Sequence, residues 1–204
     1  MIDVNNIRID FIKQVGDLSN KKIEKLQKDL KDKFSAIDKL QYGGYIFINE
    51  LKNLFLIVTN NQVTLEIRGV NVTYDKSFLY DILKKVFDIL LLDEETEVLL
   101  SIVGLIKSVS STFNKSLKFI ENHSIDNIDS IYGVGYKFFM KEGKYIGELK
   151  IEPLVRDDKY FYIQYIMSSN RREYPVREIL DDVEILLNKL KEDIYKDIVS
   201  KIIE

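Results

Sequence analysis

The densest group of arginines in the chain lies just before residue 175. Arg171 and Arg172 are adjacent, and Arg177 follows at the start of a predicted helix. Guanidinium groups bind phosphates and carboxylates, and the N-terminus of a helix adds positive potential. These three residues are therefore a candidate anion-binding site. The alternative is an exposed loop in which the arginines pair with Glu173 and Glu178.

Residues for catalysis or metal binding are few. The chain has no cysteine and one histidine, His123, on which any Ser-His-Asp triad would depend. Its neighbours predict the end of a helix, where a cation is mildly favourable. Gly133 and Gly135 lack the third glycine and the following helix of a dinucleotide-binding motif. We therefore predict no catalytic residue, no metal site and no cofactor, and favour a protein that is not an enzyme.

Four aromatic side chains of the second half lie on predicted strands. They are Tyr136, Phe138, Tyr160 and Tyr162. A curved sheet closed by a long helix can enclose an apolar cavity, and these side chains are candidates to line it. The same residues are candidates for an interface with a protein partner.

Several predicted strands carry apolar side chains on both faces. An antiparallel sheet with helices on one face normally alternates apolar and polar residues, as residues 63–68 do. Residues 54–58, 102–106, 138–140 and 160–163 do not alternate in this way. A large exposed apolar patch is unusual for a monomer. We therefore expect a helix, a second copy, a ligand or a partner to cover the second face.

Hydrophobic periodicity predicts the elements that carry these residues. The first half begins with a strand over 7–11 and a helix from Ser19 that includes Phe34 and Ile37. Strands over 45–49, 54–59 and 62–69 and a helix over 74–90 follow. The second half repeats this order, with a strand over 97–109, a helix over 113–120, and strands over 132–141, 145–155 and 159–168. The final helix, which begins near Pro175 and extends to Ile202, would have about 28 residues and be roughly 42 Å long if continuous.

The fold class predicted is α+β, with two similar β-α-β-β-β-α halves, residues 1–93 and 94–204, in a single compact body. Their mostly antiparallel sheet would carry helices on one face and end in the long C-terminal helix. Two pairs of short, similar segments support a duplication: residues 44–47 (GYIF) resemble 135–138 (GYKF), and residues 82–86 resemble 179–183. This order of elements resembles the fold of the TATA-binding protein, whose pseudo-symmetric halves share one curved sheet. That family binds DNA through paired Phe wedges in a basic surround.

The chain also resembles a sporadically distributed bacterial family with no established activity. The likeness lies in residues 44–47 before a hairpin, Tyr74 before the middle helix, Gly104-Leu105 in the next strand, and residues 177–202. That family usually carries an Arg-Tyr pair and an Asn after the Gly-Leu, where this chain has Ile106, Lys107 and Val109. The resemblance implies a fold and no function.

Composition narrows the function classes. The 204 residues are 46% hydrophobic and 31% charged, as in folded globular proteins. The absence of cysteine fits a reducing compartment, and no leader or membrane segment is recognisable, so we expect a cytoplasmic protein. The net charge of −3 does not favour binding of nucleic acid, which attracts basic proteins.

We expect a protein that binds a partner or itself through an apolar sheet face or the C-terminal helix. A protein that binds a small apolar ligand is the alternative, and a nucleic-acid-binding protein is the second.

Overall fold

The computed structural model describes residues 1–70, 72–92, 96–121, 132–169 and 175–203. Nine strands form one antiparallel sheet in the order β2-β3-β4-β5-β1-β6-β9-β8-β7. The strands are β1 Asp3–Ile12, β2 Ala36–Lys39, β3 Tyr45–Asn49, β4 Leu54–Thr59, β5 Gln62–Arg68, β6 Glu97–Lys107, β7 Tyr136–Glu142, β8 Tyr145–Pro153 and β9 Tyr160–Ser169. The helices are α1 Asn20–Leu30, α2 Lys76–Leu90, α3 Thr112–Glu121, α4 Val176–Lys189 and α5 Ser200–Ile203.

The sheet order is symmetric about its two central strands. From β1 outward the sheet runs through β5, β4 and β3, and from β6 outward it runs through β9, β8 and β7. Each half thus places its first strand at the centre and its last three strands in reverse order toward one edge. The predicted boundary at residue 93 lies outside the described residues. Only β2, at the edge of the first half, has no counterpart among the described strands.

The first helix is shorter than its periodicity predicts, and this corrects the prediction. Helix α1 ends at Leu30, so Phe34 lies between α1 and β2, and Ile37 lies on β2. Ile37 stands opposite Phe47 in the register of β2 and β3. Phe34 packs against the same ring, with the two centroids 5.8 Å apart. Two apolar residues three positions apart satisfy a helical period, but here both of them cover Phe47.

In the part of the chain that the structure describes, helices cover one face of the sheet only. Every second strand residue joins a single core with buried side chains of α1, α2 and α4. The core includes Phe11, Leu65, Leu100, Tyr165 and Leu149 from five neighbouring strands, all fully buried or nearly so. The intervening side chains point away from the helices and lie outside this core. The predicted α+β arrangement with helices on one face is therefore confirmed.

The last helix runs on from α4 through a π-helical segment, Leu190–Val199, into α5. The predicted long C-terminal helix is thus present, but its buried face is shifted. An α-helical period would bury Ile198 and Ile202, whereas Val199 and Ile203 are buried and those two are half-buried. A π-helix bonds each N–H to the carbonyl five residues back, as Ser200 does to Tyr195. The extra residue per turn moves the buried side by one position. None of the described helices is long and apolar enough to cross a membrane.

Candidate interaction surface

We call the set of strand side chains that point away from the helices the open face. One row of this face crosses all nine strands, because each pairing aligns the same residues. From β2 to β7 the row is Ala36, Ile48, Phe55, Glu66, Arg8, Ser101, Ile166, Glu148 and Phe139. It is apolar at both ends and charged near the middle.

A buried polar cluster occupies the centre of the open face, on β1 and β5. Asp10 is only 4% exposed, and its carboxylate accepts hydrogen bonds from Thr64 (2.6 Å) and Gln62 (2.5 Å). The Arg8 Nε also donates to both oxygens of the Asp10 carboxylate, at 3.0 and 2.9 Å. This hydrogen bond, against the opposing cost of burial, raises the pKa of Arg8.

Glu66 forms the second centre of this cluster and is also 4% exposed. Its two carboxylate oxygens accept hydrogen bonds from Asn6 (2.6 Å) and Arg68 (2.7 Å). Burial opposes ionisation, but the hydrogen bonds from Arg68 and Asn6 outweigh it, so the pKa of Glu66 is lowered. The Arg68 guanidinium in turn lies 4.9 Å from the centre of the Phe55 ring.

The chemistry of this cluster is structural. Both buried carboxylates are bonded by cationic and neutral donors, which is the arrangement that makes buried charge tolerable. Asn6, Thr64 and Gln62 tie β1 to β5 through side chains as well as backbone. Among the described residues, no group of three potential ligands could hold a metal ion.

The second half of the open face carries an apolar patch, which we call the open-face patch: Phe139, Ile146 and Ile166. Phe139 is 84% exposed although its ring lies on a regular strand. Ile146 on β8 is also exposed, and Ile166 on β9 is half-buried. The three side chains line one shallow groove of about 560 Å³, together with Lys141, Glu148 and Ser168. Leu99 and Val103 on β6 continue the apolar surface toward the sheet centre.

Charged side chains border the open-face patch, and one of them, Glu148, is shared by two lysines. Glu148 lies 2.5 Å from the Lys137 ammonium and 3.0 Å from that of Lys150. Hydrogen bonds from these two lysines lower the pKa of Glu148. The Lys137 ammonium also lies 5.6 Å from the centre of the Phe139 ring. The border is therefore polar, as the rim of a protein interface often is, and its lysines outnumber its one glutamate.

The four aromatic candidates predicted from sequence do not meet in one cavity. Tyr136 and Phe138 face the helices, and the Tyr136 hydroxyl donates to the Ser116 carbonyl of α3 at 2.6 Å. Tyr160 and Tyr162 point to the open face, opposite Lys107 and Leu105. Burial raises the pKa values of Tyr136 and Tyr162. The alternation of each strand places these pairs on opposite sides of the sheet.

The arginine candidates can be located only in part. Arg177 is exposed in the first turn of α4. Arg171 and Arg172 lie outside the described residues, as does His123.

Sequence reasoning missed two members of the open-face patch, Ile146 and Ile166. The signal for Phe139 was available, because Lys137, Phe139 and Lys141 alternate with Tyr136, Phe138 and Met140. This alternation fixes Phe139 on the face of the two lysines, away from the apolar side chains. Ile146 and Ile166 needed the strand register, which brings β8 and β9 beside β7.

Comparison with known proteins finds similarity in fold and none in sequence families. No family model matches the chain, and no curated protein matches it. The resemblance to a bacterial family therefore stays a prediction. The solved structure of Methanococcus jannaschii TBP is similar to this chain with a TM-score of 0.41 and 10% sequence identity. The similar region covers 90% of this chain and 98% of that chain, and the likeness concerns the fold alone.

Proposed function

We propose that this chain is a binding protein that docks a protein partner on the open-face patch. The observation that carries the proposal is the exposure of Phe139, 84%, beside Ile146 and Ile166 in one groove. Contiguous exposed apolar side chains with a polar border are typical of protein interfaces. An exposed aromatic ring held on a regular strand also loses little conformational freedom when it is covered.

The charges of the open face favour a protein over nucleic acid as the partner. A phosphate backbone is bound by lysines and arginines that are free to replace its counterions. Here Arg8 is paired with Asp10, Arg68 with Glu66, and Lys137 with Glu148. A phosphate backbone that used these three cations would have to compete with the carboxylates that already pair with them.

A small apolar ligand is the other occupant expected from sequence. The helix-facing side of the second half offers it little support, because Leu149, Phe161 and Tyr165 there are fully buried and packed in the core. The groove beside Phe139 is open to solvent along the sheet, which suits a protein surface better than a small molecule.

The experiment compares variants of the open-face patch with a matched control. The double variant Ile146→Ser and Ile166→Ser removes apolar area from the groove. Ile185→Ser removes the same side chain from an exposed position on α4 and is the control. Each protein, carrying a photo-crosslinker at residue 168, is incubated with native lysate and its adducts are compared.

We expect a discrete adduct with the wild type and with Ile185→Ser, and at least a tenfold weaker one with the double variant, since each buried methylene contributes about 0.8 kcal/mol. Equal adducts with all three proteins, or none with the wild type, would count against the proposal. Retention of a small molecule by the wild type alone, seen by native mass spectrometry, would assign the groove to the ligand alternative instead.

A further inference from the structure

The two halves differ in how the outer edge of their sheet is paired. In the first half β2 pairs with β3 along its outer edge. In the second half β7 occupies the position of β3, and among the described residues no strand pairs with its outer edge. An unpaired edge presents backbone N–H and C=O groups that can bind an added strand.

The aromatic residue at this position shows the effect of the missing strand. Phe47 on β3 and Phe138 on β7 occur in the matching segments GYIF and GYKF, and both face the helices. Phe47 is 0% exposed because Ile37 of β2 stands opposite it and Phe34 packs on its ring. Phe138 is only half-buried. An apolar side chain opposite Phe138 would complete the core as Ile37 does.

The open-face side of β7 indicates the charge of the missing strand. Lys137, Phe139 and Lys141 point to this side, and all three are exposed. Lys137 is paired with Glu148, whereas Lys141 forms no ion pair with any described residue. In the first half Asp38 of β2 stands opposite Ile46, the counterpart of Lys137. Carboxylates opposite the two lysines would thus follow the pattern of β2 and add charge pairs across the strands.

We propose that an extended peptide segment of the partner protein adds to the sheet antiparallel to β7. Its side chains would be acidic opposite Lys141 and Lys137 and apolar at the three positions between them, opposite Met140, Phe139 and Phe138. Backbone hydrogen bonds provide the affinity, and alternate side chains provide the specificity. This inference rests on the proposed function and names the chemistry of the partner.

A second copy of this chain fits the edge less well. Two β7 strands paired about a two-fold axis at Phe139 would place Lys137 of each opposite Lys141 of the other. Like charges directly opposite each other destabilise a strand pair. The outer edge of β7 therefore favours pairing with an acidic strand and disfavours pairing with β7 of a second copy.

The test uses the full chain and the labelled peptide Thr-Glu-Val-Tyr-Val-Glu-Thr, blocked at both ends, in fluorescence anisotropy titrations. Two isomers carry three N-methyl groups each, one at peptide residues 2, 4 and 6 and the other at residues 3, 5 and 7. Only one set of N–H groups can point at β7, so we expect one isomer to bind at least tenfold more weakly and the other to bind like the parent. Equal binding by both isomers, or no binding of the parent at millimolar concentration, would overturn the proposal.

A charge exchange tests the role of the two lysines. We expect Lys137→Glu with Lys141→Glu to weaken binding of the parent peptide by about tenfold and to strengthen binding of the same peptide with Lys in place of Glu. Lys84→Glu on α2 is the control, and its affinity should not change. Equal affinity of the two peptides for the wild type would overturn the assignment of charge.

Two further measurements separate this inference from the proposed function. The double variant Ile146→Ser and Ile166→Ser should keep peptide binding within about twofold, since it leaves β7 intact and removes only groove contacts. If the patch variant loses its adduct while no peptide binds, the inference fails and the proposed function stands. Light scattering is the second measurement, and a dimer that the peptide does not dissociate would assign the edge to a second copy and overturn the inference.

Discussion

The Tyr74 hydroxyl donates a hydrogen bond of 2.8 Å to the backbone carbonyl of Leu180. This contact joins the segment before α2 to the middle of α4, and so connects the two halves across the helical layer. Lys76 adds ion pairs of 2.7 and 2.8 Å to Asp181 and Glu184 of α4. Burial, and then the nearby carboxylate of Glu184, raises the pKa of Tyr74, so its hydroxyl remains a donor at neutral pH.

Removing this hydroxyl should loosen the packing of α2 against α4. We expect Tyr74→Phe to lower the free energy of unfolding by about 1 kcal/mol, the usual contribution of one hydrogen bond. Tyr42→Phe, at a fully exposed ring, is the matched control and should leave stability unchanged. Urea denaturation followed by circular dichroism measures both. An equal effect of the two substitutions would contradict the role of the Leu180 contact.

Gly147 permits the close approach of β8 to β9. A Cβ at this position would lie 1.9 Å from the Ile166 carbonyl oxygen, a distance at which the strands must separate. We expect Gly147→Ala to lower the free energy of unfolding by about 3 kcal/mol, as severe overpacking does. A Cβ at Gly143 would have no atom within 4 Å, but this residue has a positive φ of 57°. We therefore expect Gly143→Ala to lower the free energy of unfolding by about 1 kcal/mol. Thermal denaturation of both variants tests this order, and the reverse order would refute it.

The lowered pKa of Glu66 makes its contribution to stability depend on pH. A carboxyl group whose pKa is lower in the folded state stabilises the protein at pH values above the pKa that the group has in the unfolded chain, 4.5 for Glu. That contribution is lost as the pH falls through the folded pKa. We expect Glu66→Gln to lower the free energy of unfolding by about 2 kcal/mol at pH 7, because it removes the charge that Arg68 and Asn6 stabilise.

The difference between wild type and Glu66→Gln should shrink as the pH falls below 4.5 and through the lowered folded-state pKa of Glu66, because the wild-type carboxyl then also becomes neutral. Urea titrations at several pH values measure it. Glu97→Gln, at an exposed end of β6, is the control and should track the wild type throughout. A difference that stays constant with pH would show that the ionised form of Glu66 is not the stabilising one.

The π-helical segment predicts which of two neighbouring residues matters more. Val199 is fully buried and Ile198 is half-buried, although the α-helical period favours Ile198. We expect Val199→Asn to lower the free energy of unfolding by about 3 kcal/mol, because it buries an amide without a partner. Ile198→Asn should cost about 1 kcal/mol, since its amide can reach water. A larger effect at Ile198 would indicate a regular α-helix there.

Most of the architecture could be predicted from local patterns. Alternation in β5, with Val63, Leu65 and Ile67 inward, and the apolar spacing of α2 both follow from the period of one element. The repeated order of elements was enough to predict an α+β fold with a symmetric arrangement. The short strand β2 was missed, because Phe34 and Ile37 satisfy a helical period and only their shared contact with Phe47 distinguishes a strand.

By itself the sequence determined every strand except β2, the order of these elements and the excess of apolar side chains on several strands, since these depend on residue type and spacing along one segment. The tertiary structure alone decided where that excess lies. The strand register brings Phe139, Ile146 and Ile166 together and places Tyr136 and Tyr162 on opposite faces. Register is set by pairing between segments far apart in the chain, and a shift of one residue would move every side chain to the other face.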